Sequence, residues 1–74
     1  GPAPQSPMEE LSDRELEVLR LIGLGRKLTE IATELHLSVK TVETYALRIR
    51  QKLDLADSRQ LFSFAIRCVM SGEI

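Results

Sequence analysis

The strongest constraint on this chain lies in its middle, where two helix-patterned segments are separated by only about three residues. The first, about Thr29 to Leu35, sets Ile31, Ala32 and Leu35 in one apolar stripe, with Glu30 near the positive helix N-terminus. His36-Leu37 forms the break, and Ser38 is a good N-cap for a longer segment running from about Val39 to Leu53. Ala32 is small where the pair must cross, while Ile31, Leu35, Leu37 and Val42 are apolar where it must pack. Within the longer segment, Val42, Ala46, Ile49 and Leu53 fall within about 60° of one another at 100° per residue and form its buried stripe. The opposite arc then carries Lys40, Thr44, Leu47, Arg48 and Gln51, flanked by Glu43 and Arg50 on one side and by Thr41, Tyr45 and Lys52 on the other.

A helix is expected on either side of this pair. Ser12-Asp13-Arg14-Glu15 is a capping box, in which hydroxyl and carboxylate each satisfy the other residue's amide. Leu16, Val18, Leu19, Leu21 and Ile22 follow at helical spacing, and Gly23 and Gly25 supply left-handed conformations that end the helix at about Ile22 or Leu24. Near the C-terminus, Asp57 with Gln60 repeats the capping-box pattern, and Ser71-Gly72 supplies a stop. No stretch alternates apolar and polar residues as a strand would, so the fold class is all-α, a four-helix bundle. The last helix is apolar over more of its circumference than one core-facing stripe requires, and Phe62, Ile66, Val69 and Met70 are the candidates for contact with a second copy.

The Pro-rich opening has no periodicity, so residues 1–8 read as a flexible lead-in or a cloning remnant, and residues 9–74 as the domain. A content of 43% hydrophobic and 28% charged residues argues against both disorder and a membrane role, and the apolar runs are far below the roughly 20 residues of a membrane span. A cytoplasmic location is the expectation. Cys68 is the one cysteine and His36 the one histidine, too few ligands for zinc; no metal and no cofactor is expected, and Cys68 reads as a small buried hydrophobe.

The formal net charge of −1 conceals an uneven distribution. Residues 1–37 hold four basic and seven acidic side chains, residues 38–53 four and one, and residues 54–74 two and three, which concentrates a net +3 on the third helix. Two helices joined by a tight turn, the second longer and basic, are the arrangement used by helix-turn-helix proteins to enter the major groove of double-stranded DNA. On that reading Lys40, Glu43, Thr44, Leu47 and Arg48 lie nearest the bases. Lys27, Thr29, Thr41, Tyr45, Arg50, Gln51 and Lys52 are then the candidates for phosphate contact, with the amides opening helix two as further donors.

From Leu11 to about Ile66 the sequence resembles the LuxR-type output domain of LuxR, FixJ and NarL-like regulators. The resemblance rests on Leu11-Ser12-Asp13-Arg14-Glu15, Glu17-Val18-Leu19, Gly25, Glu30-Ile31-Ala32, Leu35, Leu37-Ser38, Thr41-Val42, Ile49, Lys52-Leu53 and Arg59. It implies a four-helix fold whose third helix reads DNA and whose fourth supports a homodimer on two half-sites. It further implies an upstream receiver or sensor domain, RNA polymerase as a possible partner, and no enzyme activity. Departures fall at Glu43, where Lys is common; at Leu47, often polar; at Tyr45, for a frequent His; at Lys27-Leu28; and at Asp54-Leu55, for a usual Gly-Val. His36 occupies a turn position where Gly is favoured, and His tolerates the left-handed conformation better than most residues.

Two alternatives remain open on the sequence. A sigma region-four-like module shares the Glu-Ile-Ala helix and the Ser-x-x-Thr-Val entry. A degenerate helix-turn-helix serving protein association is compatible with the acidic balance, Glu43 and the apolar helix four. An enzyme is disfavoured, since no nucleophile, base and orienting group stand at workable spacing.

Overall fold

The computed structural model describes residues 7–74, so the lead-in expected over residues 1–6 lies outside the described residues. A 3-10 turn, Pro7–Glu10, leads into four α-helices: α1 Asp13–Gly23, α2 Leu28–Leu35, α3 Val39–Lys52 and α4 Ser58–Met70. The all-α expectation holds, with each boundary within one or two residues of its sequence signal. No helix among the described residues is long and apolar enough to cross a membrane.

Local chemistry sets the helix starts. The Ser12 hydroxyl accepts from the Glu15 amide at 3.1 Å, and Glu15 Oε1 accepts from the Ser12 amide at 2.8 Å, completing the predicted capping box. Ser38 Oγ accepts from the Thr41 amide at 3.1 Å and lies 2.8 Å from Thr41 Oγ1. Asp57 Oδ1 accepts from the Gln60 amide, but the Gln60 side chain reaches one residue further back than a capping box requires and accepts from the Ala56 amide. At α2 the cap is one-sided: Lys27 offers no acceptor, and Glu30 Oε1 accepts from the Lys27 amide at 2.7 Å.

All four helices end alike, with a left-handed residue followed by a backbone bond reaching back five residues, the Schellman closure. Gly25 and Gly72 supply it after α1 and α4, where Arg26 N donates to Leu21 O and Glu73 N to Cys68 O. His36 (φ 58) and Asp54 (φ 56) supply it after α2 and α3, where Leu37 N donates to Ala32 O and Leu55 N to Arg50 O. Gly23 plays a different part from the one its sequence position predicts. It is the last residue of α1, and it lets α1 approach the α4 backbone: a Cβ there would lie 2.5 Å from both Ala65 O and Val69 Cγ2.

The core contains Val18, Leu19, Leu21 and Ile22 of α1, Ile31 and Ala32 of α2, Val42, Ala46 and Ile49 of α3, and Leu61, Ala65 and Cys68 of α4. Leu53 is half-buried at the α3 C-cap rather than inside the stripe. Met8, placed in the lead-in by the composition around it, is buried in this core, and Cys68 Sγ lies 3.9 Å from its Sδ. The ordered fold thus begins before residue 9. Burial pushes the Cys68 thiol above its ordinary value, as nearby Glu73 also does against the opposing charge of Arg67, and Cys68 sits as the small hydrophobe its neighbours predict.

Candidate functional site

Burying Val42, Ala46 and Ile49 against α1 and α2 fixes the roll of α3 about its own axis, so what the helix shows to solvent is not a free choice. Lys40, Glu43, Thr44, Leu47, Arg48, Gln51 and Lys52 are exposed, whereas Thr41, Tyr45 and Arg50 are half-buried at the edges of that face. The five residues predicted to lie nearest the bases therefore share one exposed surface. The side chains of Lys40, Glu43, Arg48 and Gln51 make no hydrogen bond or ion pair with other described residues. Thr44 Oγ1 donates to Lys40 O at 3.0 Å, which uses its one donor and leaves the hydroxyl oxygen as an acceptor.

Thr41, Thr44, Tyr45 and Arg48 line a shallow open hollow of about 160 Å³ on this face. The Thr41 and Thr44 hydroxyls are already hydrogen-bonded to Ser38 Oγ and Lys40 O, so the donors this hollow keeps for an anionic group are the Tyr45 hydroxyl and the Arg48 guanidinium. Tyr45 is half-buried, packed against the core and also lining the hollow.

Two of the cations at the end of α3 are already engaged by the protein. Lys52 Nζ donates to Glu15 Oε1 at 2.7 Å, an ion pair across 37 residues that ties the end of α3 to the start of α1. Glu15 is buried, while the Lys52 side chain is 39% exposed. Burial pushes the Glu15 carboxyl upward, but hydrogen bonding and charge from Lys52, with the amide and hydroxyl of Ser12, outweigh it and hold the group below its ordinary value. Arg50 Nη2 donates to Ala56 O at 2.6 Å and braces the loop to α4, with its Nε buried and unbonded. Asp54, next to them in sequence, pairs with neither cation.

Ahead of α2, Arg26, Lys27 and Thr29 are exposed, and Arg26 lies 3.7 Å from Glu34. Helix α4 exposes Phe62, Ile66 and Met70 at four-residue spacing, with Met70 82% exposed. Val69, grouped with them by the sequence, is half-buried against Gly23. Phe62 and Ile66 join Ile22, Leu28 and the Gly25–Lys27 turn in lining an open groove of about 350 Å³.

The sequence profile of the GerE family, described as bacterial regulatory proteins of the luxR family, matches residues 9–65. Among curated proteins, the chain is 41% identical over 63 residues to response regulator UvrY of Escherichia coli, covering 85% of this chain and 29% of that protein. It is 44% identical over 61 residues to the transcriptional regulatory protein LiaR of Bacillus subtilis, covering 82% of this chain and 29% of that one. Against the oxygen regulatory protein NreC of Staphylococcus carnosus it is 46% identical over 61 residues, 82% of this chain and 28% of that one. The chain thus spans less than a third of the length of these relatives. The profile takes in α1, α2 and α3 whole together with the first half of α4, which includes every candidate residue on the exposed face of α3, and on that match the chain belongs to the luxR family of bacterial regulatory proteins.

Proposed function

We propose that this domain is the DNA-binding output module of a bacterial transcription regulator, with α3 seated in the major groove. The observation that carries the reading is the exposed face of α3, where Lys40 and Arg48 stand unpaired beside the hydroxyl-lined hollow while the opposite stripe is locked into the core. A net −1 chain binds a polyanion only through such a concentration of charge. Lys40, Glu43, Thr44, Leu47 and Arg48 face the base edges. Lys27 and Thr29 at the start of α2, with Thr41, Tyr45 and Gln51 along α3, meet the phosphates. Arg50 and Lys52 contribute first by anchoring the end of α3, since both already have protein partners. The apolar ridge Phe62, Ile66 and Met70 is where a second copy packs, so that two α3 helices address two half-sites. The response-regulator relatives support an upstream receiver domain in the whole protein, acting in the cytoplasm without enzyme activity in this module.

Arg48→Ala tests this reading. Because Arg48 brings a full charge into the groove as well as base-edge donors, we expect the change to weaken binding on the order of tenfold at low salt, to relax base preference at one position, and to reduce the slope of log affinity against log salt by about one. Fluorescence anisotropy across a salt series measures both. An unchanged slope and affinity remove Arg48 from the interface, and with it this placement of α3.

A further inference from the structure

Glu43 is the one acidic side chain on a helix face otherwise made of cations, hydroxyls, Leu47 and the Gln51 amide. It is exposed, and it lies three residues after Lys40 and four before Leu47, within reach of a cation on its own helix. It nevertheless makes no ion pair or hydrogen bond with any described residue. A carboxylate held free on such a face is repelled by every phosphate and finds nothing to accept from in a sugar–phosphate wall. In the major groove, two base-edge groups donate: cytosine N4 and adenine N6. Adenine N6 sits beside the N7 acceptor, which faces an approaching carboxylate with a second negative edge. Cytosine presents its amino group with no acceptor of its own next to it, and its guanine partner offers O6 and N7 to a neighbouring cation such as Lys40.

We infer that Glu43 is a specificity-determining residue that selects a cytosine in the operator, accepting a hydrogen bond from its N4 amino group. The inference rests on the DNA-binding reading above and adds to it one base at one position. The side chain contributes discrimination rather than affinity: it rejects thymine, whose O4 is an acceptor, and it lowers binding to unrelated duplexes by repelling their phosphates.

The test uses the 74-residue chain, the duplex enriched by it from a randomised pool, and a set of duplexes carrying each single cytosine-to-thymine change. Wild type is expected to lose about tenfold in affinity at one cytosine of the site. Glu43→Ala brings that loss below about twofold while binding unrelated duplex more tightly, and Glu43→Gln moves the preference at that position to adenine, whose N6 and N7 an amide matches. Thermal melts by circular dichroism establish that both variants are folded, as the solvent-facing position implies. If wild type and Glu43→Ala give the same base profile, the inference falls and the DNA reading stands. If wild type binds no duplex at about 0.05 M salt, both fall.

Discussion

Gly23→Ala lowers the melting temperature of the domain by roughly 10 °C, against the direction that helix propensity alone dictates. Alanine is the better helix former by up to about 1 kcal/mol, and Gly23 is still helical as the last residue of α1, so a chain read locally would gain from the change. Packing reverses the sign. The added methyl would lie 2.5 Å from Ala65 O and Val69 Cγ2, and 2.9 Å from Ala65 C. Two of these three atoms are backbone of α4 and cannot rotate away, so the helices must separate. Overpacking of this kind costs about 1–3 kcal/mol, and more where backbone must move. The net loss of about 2 kcal/mol is a large part of the roughly 4–11 kcal/mol available to 74 residues. Melting followed at 222 nm by circular dichroism reads the result, and a rise in the midpoint would show that α1 and α4 do not approach this closely.

Lys52→Ala has a comparable effect on stability and little on DNA. It leaves the Ser12 amide as the hydrogen-bond donor remaining to the buried Glu15 carboxylate. Removing one partner of a fully buried pair costs about 3–5 kcal/mol, and because Lys52 is partly in water the expected loss is smaller, about 2 kcal/mol. The same pair gives the domain a pH signature. The folded-state pKa of Glu15 lies below its unfolded value, so its contribution is present above the ordinary carboxylate range and is lost as pH falls through the folded value. Urea midpoints measured from pH 6 down to pH 3 should therefore fall more steeply for wild type than for Glu15→Gln, which keeps an acceptor for the Ser12 amide but has no charge to protonate. Parallel slopes would contradict the assignment. In DNA titrations the salt slope of Lys52→Ala stays at the wild-type value, unlike that of Arg48→Ala, because Lys52 is already occupied.

Much of this architecture was legible in the sequence where the determining chemistry is local. The Ser12, Ser38 and Asp57 caps each act within three residues, and all three hold. The exposed arc of α3 follows from the 100° spacing of Val42, Ala46 and Ile49, whose burial leaves the other face no alternative. His36 was readable as a left-handed turn residue for the same reason. Signals that depend on distant partners were not. Gly23 is identical in sequence whether it ends a helix or admits a neighbouring one, and only the position of Ala65 decides. Met8 is masked by the prolines before it, although its thioether fills the core beside Cys68. Lys52 looks like one more cation on a basic helix until Glu15, 37 residues away, is brought to it. A buried Glu in a capping box was the available clue, because a buried carboxylate calls for a partner beyond its own cap.

Whether the exposed face of α3 reads double-stranded DNA is decided by selection from a randomised duplex pool at about 0.1 M salt. An inverted repeat whose half-sites are separated by one helical turn or a multiple of it should be enriched and bound far more tightly than scrambled duplex. A pool that stays random, with no binding even at low salt, would contradict this and assign the unpaired cations of α3 to a protein partner.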